Sequence, residues 1–425
     1  MPDESILSDE LLRELMAVGE VDVLVGLATY NNAGTVEHVV RATQTAFAEY
    51  LQRERTALII ADAGSRDGTL EAARGTHAVD ATPLLSSTTL RTVHQIAVPY
   101  HGVPGKASAL RRIFAASELS RARVCVVVGA DHRGLTPEWI DGLVRLVQRE
   151  SFDFVSPLYH RHKFEGLLPK NLLYPVTRAV LGLPIREPLG GENAFSARLV
   201  AHLLSQDLWE GEAARSFGID LGITAAAAVG GFRVCELALG RREDGRGDRT
   251  APGSMVEQVV GSLFACLETH PQYWQASPTA IEVPVKGGLA EVASAPARIN
   301  RKRMFDRFRS AVSELGSVLE RILSADTLSG IRALTARSGP EILFPDELWV
   351  RTVYDFAAAY HRAVIHRAHL LQALTPLYLG RAGSFVVENL DSDAAEVDRR
   401  LELLCLAFER LKPYLLERWT ATDGR

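Results

Sequence analysis

Short apolar runs alternate with helix-forming stretches through the first 160 residues, and this alternation limits the fold more than any other feature of the chain. The pattern predicts strands over residues 22–28, 57–62, 92–98, 123–130 and 153–157. Helices are predicted between them, over residues 36–51, 70–75, 106–118 and 136–150. Strands separated by helices build βαβ units and a mainly parallel sheet. Val124-Cys125-Val126-Val127-Val128 is apolar without alternation, as a strand covered on both faces should be. The fold class is therefore α/β, Rossmann-like in its first part.

The pattern changes along the chain. Residues 170–183 read as a helix and residues 232–237 as a further strand. Residues 245–253 have loop composition, with the length and charge of a segment lying over a site. Residues 284–296 read as a boundary or loop. Beyond residue 255 helical spacing dominates: Met304, Phe305, Phe308, Val312, Leu315, Val318, Leu319, Ile322 and Leu323 follow it, and so do Val397, Leu401, Leu404, Cys405, Phe408 and Leu411. Pro413 should end or kink that last run. A chain of 425 residues exceeds one ordinary core. Two domains are expected, residues 1–255 and a helical region over 256–425, the latter serving packing or homodimer formation.

Composition removes several classes of function. A net charge of −5 supplies no basic field, so nucleic acid is not an expected partner. Cys125, Cys235, Cys266 and Cys405 lie in or beside apolar runs with no Cys-x-x-Cys, as buried thiols in a reducing compartment would. The acidic N-terminus lacks an apolar core and no run is long enough to cross a bilayer, so a cytoplasmic protein is expected.

Open α/β sheets bind ligands at the C-terminal ends of their strands, and four motifs fall there. Ala28-Thr29-Tyr30-Asn31-Asn32 ends the first strand, with small residues that let a ring approach and a tyrosine to cover it. Asp62-Ala63-Gly64-Ser65-Arg66-Asp67-Gly68-Thr69 places a carboxylate on a strand tip before a tight turn, as suits the edge of a nucleobase. Pro104-Gly105-Lys106 opens a helix with a lysine in its first turn, a ready diphosphate site. Gly129-Ala130-Asp131 closes the central strand with a carboxylate that suits a hard divalent cation.

In order and spacing these motifs resemble those of GT-A fold glycosyltransferases, especially family 2. The resemblance implies that Ala28, Tyr30, Asp62, Lys106 and Ala130 bind the donor nucleotide and that Asp131 holds Mg²⁺ or Mn²⁺. Further on, Glu187-Pro188-Leu189-Gly190-Gly191-Glu192 and Phe217-Gly218-Ile219-Asp220 are similar to segments of the glucosyl-3-phosphoglycerate synthase and mannosylglycerate synthase families. By that likeness Leu189, Gly190 and Gly191 line the sugar and acceptor pocket, and Asp220 faces it. Asp220 or Glu192 would serve as general base in an inverting reaction. Arg161, in Tyr159-His160-Arg161-His162-Lys163, would hold an anionic acceptor resembling glycerate or phosphoglycerate.

Two departures stand out. Gly129 replaces the first acid of the family's Asp-x-Asp, and Glu243 or Asp244 stands where a metal-ligating histidine is expected. The expected activity is sugar transfer from a UDP- or GDP-linked donor. A weakened relative that only binds nucleotide or a partner rests on the two departures. A sugar nucleotidyltransferase would need a basic residue in the loop after the first strand, which Tyr30-Asn31-Asn32-Ala33-Gly34 lacks.

Overall fold

The structure is a computed structural model that describes residues 6–76, 94–98, 105–209, 218–242, 252–276, 282–288, 299–336 and 339–421. The chain forms two compact units. The first comprises Met1–His160, Leu189–Arg249 and Pro284–Val292; the second comprises Arg161–Pro188, Thr250–Val283 and Ala293–Arg425. The expected single division at residue 255 is thus replaced by an interleaved one, because residues 161–188 pack with the helices rather than with the sheet.

The first unit is built on an eight-stranded sheet. Its strands are β1 (Val23–Thr29), β2 (Thr56–Asp62), β3 (His94–Val98), β4 (Val124–Gly129), β5 (Phe154–His160), β6 (Asn193–Ser196), β7 (Val234–Arg241) and β8 (Val285–Lys286). They lie in the order β3-β2-β1-β4-β6-β5-β7-β8. All pairings are parallel except those of β6, which runs antiparallel to both β4 and β5. This is the mainly parallel α/β sheet that the alternation predicts.

Hydrophobic burial explains the order. β1 and β4 carry Val, Leu and Cys on both faces, and these side chains are buried. One face packs on helices Val36–Glu49 and Pro137–Glu150 through Val39, Val40, Ile140, Leu143 and Val144. On the other, helix Lys106–Leu119 comes so near β1 that a Cβ on Gly26 would lie 2.3 Å from Ile113. Gly26 therefore sets the depth of that helix, whose first residue is Lys106.

The second unit is helical. Helices Arg301–Glu314 and Arg367–Glu388 meet at two glycines, where a Cβ on Gly380 or Gly383 would approach Phe308 or Phe305 to 2.6 and 2.7 Å. The long helical run expected after Met304 breaks at Leu315, giving Arg301–Glu314 and Gly316–Ile322. Pro413 starts a new helix, Lys412–Thr420, just after Ala394–Arg410 ends. The helix expected over 170–183 begins as a π-turn, Pro169–Leu173, before Tyr174–Leu181. No helix among the described residues is long and apolar enough to cross a membrane. The cysteines Cys125, Cys235 and Cys405 are buried, and burial pushes their thiols up to about 12.

Candidate functional site

The sheet register lines up the expected motifs. Thr29 pairs with Asp62, and Ala28 pairs with Ala61 on one side and Gly129 on the other, so the C-terminal ends of β2, β1 and β4 form one rim. Ala28 and Gly129 keep that rim low.

Two loops above the rim are stitched together. The Asn31 N–H donates to Ser65 Oγ at 2.8 Å, and the Arg66 N–H donates to Asn31 Oδ1 at 3.0 Å. The Asn32 N–H reaches Thr69 Oγ1 at 2.7 Å and the Ala33 N–H reaches Asp67 Oδ2 at 3.1 Å. Asn31 adopts φ 54°, a left-handed conformation that asparagine tolerates better than most residues. Burial works against the charge of Asp67, yet the Thr69 hydroxyl and the Ala33 and Thr69 N–H groups hold its carboxyl below the usual range.

Asp62 departs from expectation. Its Oδ1 accepts from Thr29 Oγ1 at 2.8 Å and Ser65 Oγ at 2.6 Å; its Oδ2 accepts from the N–H groups of Gly64 at 3.1 Å and Ser65 at 2.8 Å. A carboxylate has about four acceptor sites, and protein donors fill them. The side chain is also buried. Asp62 thus organises the turn over residues 62–69, and a base edge would have to share it with Ser65. Tyr30 is half exposed beside this wall.

A charged cluster brings together residues far apart in sequence. Lys106 Nζ lies 2.5 Å from Asp220 Oδ2. Asp220 sits in the first turn of helix Ile219–Val229, where burial raises its carboxyl pKa against the opposing charge and hydrogen bond of Lys106 and the charge of Arg242. Arg242 Nη2 donates to Asp131 Oδ1 at 3.3 Å, and its Nη1 lies 3.6 Å from Glu192 Oε2 and 3.4 Å from the Tyr159 hydroxyl. Tyr159 in turn donates to Glu192 Oε2. The Ala130 carbonyl accepts from Thr35 Oγ1 at 2.7 Å, fixing the backbone that carries Asp131.

The loop before β6 completes the cluster. Asn193 Nδ2 donates to the Gly190 carbonyl at 2.8 Å, turning the Leu189-Gly190-Gly191-Glu192 segment. A Cβ on Gly191 would lie 3.1 Å from Arg242 Nη1. Of the expected site residues, Lys106 and Asp220 form one pair, Asp131 and Glu192 share Arg242, and the charges of Arg242 and Glu192 act on Asp220. Arg161 belongs to the helical unit, where it grips Glu187 in a bidentate pair at 2.6 and 3.1 Å. Glu243 and Asp244 lie outside the described residues, as do Pro104 and Phe217. Sequence reasoning missed Arg242 and Tyr159. Tyr159 stood inside a segment already singled out, and the signal was position: Tyr159 near the C-terminal end of β5 and Arg242 directly after β7.

The cluster fits a divalent cation. Asp131 Oδ1 and Glu192 Oε1 fall 3.1 and 3.2 Å from the point where a Cβ on Gly129 would sit. Glu192 Oε1 is buried without a hydrogen-bond partner among the described residues. Two hard oxygens facing one gap suit Mg²⁺ or Mn²⁺, which complete their shells with phosphate oxygens and water. No group of three or more metal-ligating side chains occurs among the described residues.

No family model matches the chain, and no curated protein matches it. Solved structures do. Glucosyl-3-phosphoglycerate synthase from Mycobacterium tuberculosis in complex with phosphoglyceric acid is 22% identical, with a TM-score of 0.43 over 61% of this chain and 84% of that one. Its complex with Mn²⁺, uridine diphosphate and phosphoglyceric acid gives 23%, 0.44, 60% and 82% respectively. The complex with Mn²⁺, uridine-diphosphate-glucose and glycerol 3-phosphate gives 23%, 0.42, 60% and 83%. At these values side-chain roles rest on this chain's own geometry.

Proposed function

We propose that the chain is a glycosyltransferase of the GT-A type, moving a sugar from a nucleoside-diphospho-sugar to a small, anionic acceptor with help from Mg²⁺ or Mn²⁺. The observation that carries this reading is the pair of Lys106 and Asp220 together with the Arg242, Asp131 and Glu192 set, whose charges act on Asp220, in the sheet unit whose strand ends carry the GT-A-like motifs. Such a set has what the reaction needs. Sugar transfer builds oxocarbenium character on the sugar, as glycoside hydrolysis does, and negative charge on the departing diphosphate. Fixed positive groups offset that charge.

Asp131 and Glu192 Oε1 would hold the cation, and Lys106 would meet the diphosphate once Asp220 releases it. The cation, when bound, supplies Lewis-acid neutralisation of the leaving group. The nucleotide would lie against the stitched wall of residues 30–33 and 62–69, with Tyr30 covering the base. Asp220 would serve as the base, a role that the rise of its pKa on burial suits. The likeness of residues 187–192 to acceptor segments of the phosphoglycerate- and glycerate-using families supports an anionic acceptor, and Leu189, Gly190 and Gly191 would border it.

A thermal-shift series with UDP and GDP, with and without Mn²⁺, tests the donor site. Selective binding to the folded chain raises the melting temperature, by about 2.7 kcal/mol of stabilisation at a hundred times Kd. One nucleotide should shift it, and more so with Mn²⁺. No shift from either removes the donor-site assignment.

A further inference from the structure

We infer that Arg242, which binds Asp131 Oδ1 and lies against Glu192 Oε2 beside the gap that Glu192 Oε1 faces, competes with a divalent cation for Asp131 until donor arrives, so that guanidinium and metal are alternative partners of one carboxylate oxygen. This rests on the reading above only in assigning a cation to Asp131.

The geometry is that of a built seat. The Arg242 side chain is 12% exposed and is held by Asp131, by the fully buried Glu192 and by the Tyr159 hydroxyl. Its carbon also lies 5.5 Å from the centre of the Tyr159 ring, within cation–π range. Gly191 makes room for it: a Cβ there would stand 3.1 Å from Nη1, whereas a Cβ on Gly129 would meet Nη2 at an ordinary contact distance of 3.7 Å. Gly129 is the position where the resembling family keeps its first acid. Here a side chain would crowd Asp131 Oδ1 and Glu192 Oε1.

Charge makes the two partners exclusive. Counted formally, Arg242, Asp131 and Glu192 together carry −1. A divalent cation added beside the arginine would bring the sum to +1, with like charges a few ångströms apart in a shielded site. A cation on Asp131 Oδ1 would sit about 2.1 Å from that oxygen, and Arg242 Nη2 is already 3.3 Å from the same atom. Adding a diphosphate of two negative charges returns the total to −1. Metal entry is thereby tied to donor entry, and free metal is turned away.

The test is a Mn²⁺ titration followed by electron paramagnetic resonance, on the full chain without nucleotide. Arg242→Gln should bind Mn²⁺ at least tenfold more tightly than the unmodified chain. Gly191→Ala keeps the arginine but pushes it from its seat, and should tighten binding in the same direction. Asp131→Asn should abolish binding in every background. UDP or GDP should tighten Mn²⁺ binding to the unmodified chain and narrow its gap to Arg242→Gln. Equal Mn²⁺ affinity in the unmodified chain and both tightening variants overturns the inference. So does an unmodified chain that binds Mn²⁺ equally well with and without a nucleotide that shifts its melting temperature. Should Arg242→Gln fail to fold, Gly191→Ala decides alone. A chain indifferent to nucleotides sinks the donor site instead, and leaves the nucleotide-free titrations to decide the seat.

Discussion

At the scale of the residue, Asp62 and Asp220 show how one side-chain type takes different work from its surroundings. Asp62 is saturated by four protein donors, so its removal leaves the Gly64 and Ser65 N–H groups and two hydroxyls without their acceptor. Of these donors the Thr29 hydroxyl belongs to a buried residue, and a buried donor stripped of its partner costs about 1–3 kcal/mol. Asp62→Ala is expected to lower the urea midpoint by a corresponding amount and to abolish the nucleotide shift along with it. A variant that kept its stability while losing only nucleotide binding would return Asp62 to the role of a base contact. Asp220 has one strong partner, Lys106, and a pKa raised first by burial. Asp220→Asn should lower kcat by about 10²–10⁴-fold, the range of lost general-base catalysis. The base works deprotonated, so its raised pKa moves the acid limb of the rate profile above the ordinary 3.8. A pH–rate profile with its acid limb at or below that value would take Asp220 out of the proton transfer.

At the scale of the element, what could be read from the sequence depended on length and periodicity. β1, β2 and β4 stand within a residue or so of expectation, because seven- and six-residue apolar runs leave little choice. β6 was invisible. It has four residues, Asn193-Ala194-Phe195-Ser196, and its antiparallel insertion between β4 and β5 leaves no periodic signal. The candidate donor residues could be picked out because they sit on loops between strongly patterned elements. Arg242 was not, because its partners Asp131 and Glu192 lie 111 and 50 residues away in sequence, by 242 − 131 and 242 − 192. Asp153 holds the inserted strand. It accepts from Ser196 Oγ at 2.8 Å and the Arg233 N–H at 3.0 Å, and it pairs with Arg198 at 2.5 Å, so one carboxylate ties the ends of β5, β6 and β7. Burial opposes its charge, but these bonds win and lower its pKa below 3.8. Such a group adds stability that is present above the unfolded value and is lost as pH falls through the folded one. Asp153→Asn should therefore cost about 1–2 kcal/mol at pH 7, shrinking below about pH 4. Urea titrations at both pH values check this, and an equal cost at pH 3 would contradict it.

At the scale of the whole molecule, the two units carry separate cores, one between sheet and helices and one among helices. Chains with more than one core commonly depart from two-state unfolding. The charged cluster and the stitched loops lie in the sheet unit, so nucleotide with Mn²⁺ should raise the transition that belongs to the sheet. Damage placed in the helical core should act on the other. Gly383 offers that handle, because a Cβ there would meet Phe305 at 2.7 Å, and overpacking of this kind costs about 1–3 kcal/mol. In scanning calorimetry Gly383→Val should lower one transition while leaving the nucleotide-dependent rise of the other in place. A single transition that moves as one under both perturbations would mean that the two cores unfold together, and the interleaved chain, which passes repeatedly between the units, supplies the physical reason for such coupling.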